Sequence, residues 1–170
     1  MLTVSDAHRE IDDKLGDTPR AAHSRFVGYA MRRIAAHLQM DAVVCELVGL
    51  CHDLDFEHTR TTPHQHGPLA AAWLSDRLPP EALLAIAAHD HRAGLTCDLP
   101  ICAALKLADA LAVIAEGLTG PSLPDPDDLV GRFESRPWLV PLLLNTAGHL
   151  SVPYPLLSDI LAQSGYVKRA

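Results

Sequence analysis

One segment restricts the possible folds more than any other part of the chain. Residues 99–118 read LPICAALKLADALAVIAEGL, and their only charged side chains are Lys106, Asp109 and Glu116. A helix that is apolar on nearly every side belongs at the centre of a helical domain. A carboxylate at Asp109 would then need a partner, since burying an unpaired charge costs roughly several kcal/mol. Lys106 is the simplest partner, and a metal ion is the alternative.

Helix signals recur on both sides of this segment, and no stretch shows the alternating period of a strand. A cap at Ser5 or Asp6 predicts a first helix that ends near Leu15. Residues 53–67 lack a helical apolar period and predict a loop. Other helix starts are expected at Thr18-Pro19, Asp41, Pro68 and Pro79-Pro80, with two or three further helices within 127–163. The fold class is therefore all-α, a single bundle of about seven to nine helices.

Length and charge narrow the class of protein. A chain of 170 residues suits one domain. A net charge of −7 argues against binding a nucleic-acid polymer, which needs surplus Lys and Arg. The polar N-terminus lacks the pattern of a signal peptide, and no apolar stretch is long enough to span a membrane. The four cysteines form no C-x-x-C pair, so we expect reduced thiols and a cytoplasmic protein.

Ten histidines are many for this composition, and several stand beside acids at expected helix ends. Imidazole and carboxylate groups suit Mn, Fe, Co, Ni or Zn. Six groups exceed what one catalytic ion needs, but they suit two ions that share a carboxylate. Each histidine also has an ordinary explanation as a surface or loop residue, and His64 and His91 compete with two of the candidates. The candidate ligands are His23, His52, Asp53, His66, His89 and Asp109.

In their order, the segments HSRFVGYAMRRIA, GLCHDLD, HGPLAAAWL, AIAAHDH and LADAL resemble the HD-domain superfamily of metal-dependent hydrolases. The resemblance covers about residues 20–118, the motif-bearing core, and leaves 119–170 as a helical extension of one domain over 1–170. It implies a binuclear site. One ion would be bound by His23, His52, Asp53 and Asp109, and Asp53 would bridge to a second ion bound by His66 and His89.

The resemblance also implies an activity. We expect a phosphohydrolase, a phosphomonoesterase or phosphodiesterase acting on a small phosphorylated metabolite or nucleotide. Its cofactor would be one or two divalent ions (Fe, Mn, Co, Ni or Zn, with Mg possible), which activate water. Asp53 and Asp109 would be catalytic, with Asp109 accepting the proton of that water. The adjacent His-His pair and the Gly-Tyr-Pro signature of cyclic-dinucleotide phosphodiesterases are absent, which disfavours that activity.

Four more residues are candidates for contact with substrate. His58 and His91 are expected as proton donors or acceptors, and Arg60 and Arg92 as phosphate ligands. Each could equally be a solvated surface residue.

Two other functions share the same ligand pattern. Some members of the superfamily are di-iron oxygenases that cleave C–C or C–P bonds, so the substrate could be a polyol or a phosphonate. A non-catalytic metal-binding module is the third possibility. In the C-terminal third, WLVPLLL and YPLLSDILA could cap the bundle or form a homodimer face. There we expect Trp138, Pro141 and Tyr154 to pack rather than to bind.

Overall fold

A computed structural model describes residues 1–166 of the chain. The regular secondary structure of this part consists of helices, without a strand. The all-α prediction is confirmed. None of the helices described is long and apolar enough to cross a membrane. Two short 3₁₀ turns, Pro63–Gln65 and His91–Ala93, lie in the connections. The helices are α1 Val4–Leu15, α2 Pro19–Leu38, α3 Ala42–Cys51, α4 Pro68–Trp73, α5 Pro80–Ala87, α6 Pro100–Glu116, α7 Pro126–Arg132, α8 Leu139–His149 and α9 Tyr154–Ser164.

Helix α6 is the central helix, as its apolar sequence predicts. It packs against α2, α3, α5 and α8, and most of its side chains are buried. One stripe differs: Lys106, Asp109 and Val113 are partly exposed and line a cleft. The Asp109 side chain is 35 % exposed, so the expectation that it lies buried among leucines is wrong. Residues three and four apart share a helix face, and here that face opens onto the cleft.

Helices α2 and α3 form the closest pair, and two glycines make this possible. A Cβ atom on Gly49 would lie 2.7 Å from the Cα of Gly28 and 2.7 Å from the carbonyl oxygen of Val27. The two backbones therefore touch, which only residues without a side chain allow. This contact sets the distance between His23 on α2 and His52 at the end of α3.

Some helix boundaries differ from the expected ones. Helix α1 begins earlier, because Thr3 is its N-cap and forms a reciprocal capping box with Asp6. Helix α4 ends at Trp73, sooner than the apolar pattern through Leu78 suggests. Three helices occupy the C-terminal third, in agreement with the two or three expected there.

The expected reduced state is wrong for two of the four cysteines. Cys97 precedes α6 and Cys102 lies in its first turn, and a disulfide joins them across a Cα–Cα distance of 6.1 Å. That distance lies within the usual range for a disulfide. Cys45 and Cys51 are buried thiols, and burial raises their pKa values to about 11 and about 12. The cytoplasmic location stays a prediction.

The C-terminal helices cap the bundle. Leu139, Val140 and Leu143 of α8 are buried, as is Leu157 of α9. Their apolar faces are thus used within the chain, and the homodimer stays a prediction. Trp138 was expected to pack rather than to bind, but its side chain is 59 % exposed. The register of α8 turns Leu139 and Val140 inward and leaves the preceding tryptophan outside.

Candidate metal centre

Asp53 is the middle of the candidate site. It follows the C-cap of α3 and is only 2 % exposed. Its two oxygens face different histidines. Oδ2 lies 3.3 Å from Nε2 of His52 and 3.8 Å from Nε2 of His23. Oδ1 lies 3.1 Å from Nε2 of His66 and 3.4 Å from Nε2 of His89. A carboxylate that bridges two ions would divide its oxygens in this way.

Asp109 extends the first of these groups. Its Oδ1 lies 3.0 Å from Nε2 of His23, on the side of His23 that faces Asp53. Lys106 is not its partner, because within residues 1–166 no ion pair joins the two side chains at 4.0 Å or less. The expected pairing of Asp109 with Lys106 is therefore wrong, and Asp109 instead contacts His23 of the histidine cluster.

Helix ends orient two of the histidines. Nδ1 of His52 donates a hydrogen bond of 2.8 Å to the carbonyl oxygen of Gly49, and Nδ1 of His89 donates one of 2.8 Å to that of Ile86. Carbonyl groups in the last turn of a helix lack partners within the helix and are free to accept. The proton on Nδ1 leaves the Nε2 lone pair of each ring directed at Asp53.

Carboxylates orient the other two histidines. Nδ1 of His66 donates to Oδ1 of Asp55 at 2.8 Å, and Nδ1 of His23 donates to Oε1 of Glu116 at 2.8 Å. Histidines that bind metals in proteins usually donate their second ring nitrogen to a carboxylate or a backbone carbonyl, which sets the tautomer. All four candidate histidines follow this pattern.

The donor atoms fit divalent metal ions. The ligand atoms of His23, His52 and Asp109 lie within 4.8 Å of one another, as do those of His52, Asp53 and His89. Nε2 of His23 and Nε2 of His52 are buried and have no hydrogen-bond partner among the residues described. Buried polar atoms without a partner are rare in native proteins, and a bound ion is one way to satisfy them. Neutral imidazoles and carboxylates are ligands that transition metals accept.

Electrostatics favour positive charge at this centre. Burial alone would lower the pKa of His23, but the carboxylates of Asp109 and Glu116, 3.0 and 2.8 Å from its ring nitrogens, outweigh it and raise the pKa to about 9. The same balance, with Asp53 and Asp55 as partners, raises the pKa of His66 to about 9. Burial would raise the pKa of Asp53, yet the surrounding histidines hold it well below its usual range. The carboxylates therefore attract cations, whether protons or metal ions.

Three functional residues escape the sequence patterns. Arg20 donates from Nη1 to Oδ2 of Asp53 at 2.9 Å, and its guanidinium lies 4.1 Å from the centre of the Phe56 ring. Asp55 and Glu116 hold His66 and His23 as described. Spacing could have indicated them: Arg20 lies one turn before a ligand on α2, and Glu116 lies two turns after Asp109 on the same face of α6.

The structure chooses between the competing histidines and moves two candidates away from the cleft. His66 is 5 % exposed at Asp53, whereas His64 is exposed on the surface. His58 is exposed and packs edge-on against Trp73, with ring centres 5.1 Å apart. Arg60 is exposed and pairs with a neighbouring glutamate at 3.2 Å, and it lines a smaller adjoining cavity of about 190 Å³ that shares Phe56, His66 and Arg92 with the cleft.

His91 and Arg92 do border the cleft. The His91 side chain is 93 % exposed at its rim. Arg92 donates from Nε to both oxygens of Asp90 at 3.0 Å, so its charge is largely matched by that carboxylate. The cleft has a volume of about 1050 Å³ and is open to solvent. Its lining combines the metal-centre residues Asp53, His66, His89 and Asp109 with Arg20, Phe56, residues 88–92, residues 94–98, Lys106, Val113, Trp138 and Leu142.

Comparison with known families identifies the class. The family model described as "HD domain" matches residues 20–114, more than half of the chain. The protein therefore belongs to the HD domain family, as its motifs predict. The HD domain implies the superfamily of metal-dependent phosphohydrolases, whose members bind divalent metal ions and are generally hydrolases. Neither a curated protein nor a solved structure gives a match.

Proposed function

We propose that this protein is a binuclear metal-dependent phosphohydrolase acting on small phosphate esters. One observation carries the proposal. The Nε2 atoms of four histidines converge on Asp53, two at each oxygen, while every Nδ1 is held by a carbonyl or a carboxylate. Metal ligation requires histidine rings held in one orientation, as these four rings are. Surface histidines without a role would not be held in this way.

The residues divide into two groups of ligands. His23, His52 and Asp109 would hold one ion with Oδ2 of Asp53, and His66 and His89 would hold another with Oδ1. Two ions held in this way would activate water as a nucleophile and would neutralise the charge that develops on phosphate oxygens.

The protein's own groups supply the remaining chemistry. The Asp109 carboxylate faces the cleft, and Nε2 of His23 at 3.0 Å lowers its pKa against the opposing effect of burial, so it is ionised at neutral pH. An ionised carboxylate at this place accepts the proton that the attacking water loses. Arg20 and Arg92 border the same space and place positive charge near the substrate phosphate. Arg92, a substrate candidate from the sequence, lines this cleft, whereas Arg60 and His58 are not part of its lining, and our proposal assigns these two no role.

The pair His64 and His66 offers a matched test. Exchange of His66 for Gln removes a donor that faces Asp53, whereas exchange of His64 for Gln changes an exposed side chain two residues away. We expect His66→Gln to retain one ion per chain and to lose at least about 100-fold in kcat, since even indirect partners of metals cost roughly 10–100-fold. His64→Gln should match the wild type. Elemental analysis and turnover of phosphate esters with Mn, Co, Ni, Mg or Fe measure both.

Two outcomes would contradict the proposal. The first is hydrolysis of no ester with any of these metals, and the second is hydrolysis that His66→Gln and Asp53→Asn leave unchanged. Two irons per chain together with consumption of oxygen would instead indicate the oxygenase chemistry that shares this ligand pattern.

A further inference from the structure

The cleft has a second part that the metal chemistry does not use. Leu95, Val113, Trp138 and Leu142 line the same cleft as Asp53 and Asp109, and we call these four residues the apolar wall. Leu95 is 44 % exposed, Trp138 59 % and Leu142 36 %, which places them among the most exposed large apolar side chains of residues 1–166. Large apolar side chains that are exposed together beside a polar site commonly mark a binding surface.

Three of the four wall residues lie on α6 or at the start of α8, and Leu95 lies in the connection that precedes α6. Trp138 and Leu142 are one turn apart at the start of α8, so they share a face of that helix. Val113 lies one turn beyond Asp109 on the central helix α6, against which α8 packs. The wall therefore continues directly from the metal centre along two packed helices.

Cations border the polar part of the cleft. Lys106 lies one turn before Asp109 on α6, and within residues 1–166 no carboxylate lies within 4.0 Å of its ammonium group. Arg20 and Arg92 line the cleft too, but each already contacts an aspartate. Lys106 is thus the cation best placed to receive an anionic group from outside the chain.

The volume of the cleft constrains the size of the ligand. A cleft of about 1050 Å³ lies at the upper end of the roughly 300–1,000 Å³ that organic ligands of drug size occupy. A phosphate group with a short polar alcohol would fill only a small part of it. Part of the remaining surface is the apolar wall, which a sugar or glycerol moiety would leave poorly matched.

We propose that the substrate is an amphipathic phosphate ester, with its phosphate at the metal centre and Lys106 and its apolar alkyl or aryl group on the apolar wall. This inference rests on the proposed function and adds the substrate class. Burial of the organic group would strengthen binding with each added methylene, since in an apolar pocket one methylene changes specificity by roughly tenfold or more.

The first experiment measures kcat and KM for methyl, butyl and hexyl phosphate and for glycerol phosphate, with the Mn²⁺-loaded protein. We expect kcat/KM to rise from methyl to hexyl phosphate, mainly through KM, and to be lowest for glycerol phosphate. In Trp138→Ser and Leu142→Ser, the rise from methyl to hexyl phosphate should shrink at least about tenfold. Val130→Ser is the matched control, because Val130 is an exposed apolar residue on α7 outside the cleft.

The second experiment measures binding without turnover. Trp73 and Trp138 are the only tryptophans, so in the Trp73→Phe variant the selectively excited tryptophan fluorescence reports on Trp138 alone. Hexylphosphonate, whose C–P bond a phosphohydrolase leaves intact, should shift this fluorescence with saturation. Methylphosphonate at the same concentration should not, and Lys106→Met should weaken the binding of hexylphosphonate.

The outcomes separate the two proposals. If esters are hydrolysed but their kcat/KM does not depend on chain length or on Trp138, the substrate class is wrong and the hydrolase stands. If no ester is hydrolysed but hexylphosphonate shifts the Trp138 fluorescence with saturation, the proposed binding surface is supported and the proposed hydrolase activity is wrong. If Trp138→Ser instead abolishes a concentration-dependent dimer and hexylphosphonate has no effect, the wall is an interface between copies of the chain and the inference is overturned.

Discussion

A single carboxylate at Asp55 shows how much of the site depends on residues outside the ligand set. Asp55 is fully buried, and its Oδ2 accepts hydrogen bonds from the backbone of Gly67 at 2.8 Å and of Ala70 at 3.0 Å. It thereby caps the six-residue helix α4 from a distant part of the chain. Its Oδ1 meanwhile orients His66. The sequence contains no local signal for this double role, because the partners lie 11 to 15 residues away.

Two substitutions at Asp55 separate its roles. In Asp55→Asn, the amide oxygen can still accept from the backbone of α4, but its NH₂ group cannot accept the proton of His66. We expect near wild-type stability and about 10–100-fold weaker binding of one ion. Asp55→Ala removes both roles and should lower the free energy of unfolding by about 3–5 kcal/mol. Metal titration and urea unfolding measure the two effects. Asp55→Asn with undiminished affinity for both ions would show that His66 needs no such support.

At the same scale, sequence reasoning selected the six candidate ligands, and the structure brings them together. The sequence could not decide between His64 and His66, because both lie in one loop that has no helical apolar period. Only the path of that loop in the folded chain buries His66 and exposes His64. The arginines show the same limit: Arg60 and Arg92 are similar in sequence terms, yet only Arg92 reaches the main cleft.

Among the elements, the contact of α2 with α3 determines the position of two ligands. A methyl group at Gly49 would have to push the helices apart, since its nearest neighbours are backbone atoms at 2.7–2.8 Å. We expect Gly49→Ala to destabilise the protein by about 1–3 kcal/mol and to weaken metal binding by moving His23 away from His52. Urea unfolding and metal titration test both effects.

Gly148 on α8 provides the control, because a Cβ atom there meets nothing within 4 Å. Gly148→Ala should leave metal binding unchanged and stabilise the helix by at most ~1 kcal/mol. Equal behaviour of the two variants would mean that the α2–α3 distance does not govern the site.

Local signals predict the helices well where prolines and capping residues begin them, as at Pro19, Asp41, Pro68 and Pro80. The central place of α6 follows from its composition. The exposure of Trp138 does not, since WLVPLLL is apolar throughout and only long-range packing decides which residues of α8 face inward.

Over the whole molecule, the candidate ligands extend from residue 23 to residue 109 and come from separate helices and loops. An unfolded chain does not hold them together, so ions should bind the native state and stabilise it. We expect Mn²⁺ or Ni²⁺ to raise Tm, with about 4 kcal/mol of stabilisation at 1,000 times Kd, and a chelator to reverse the rise. Thermal unfolding of the wild type and of Asp53→Asn tests this. A Tm that does not respond to any divalent ion would contradict metal binding.

The disulfide between Cys97 and Cys102 matters for conformational entropy. It ties the connection that carries Leu95 to the first turn of α6, the helix of Lys106 and Asp109. A free connection would lose freedom whenever a ligand settled against it, and that loss would subtract from affinity. A connection that is already restrained loses less. The covalent link therefore prepares one side of the cleft for binding before any ligand arrives.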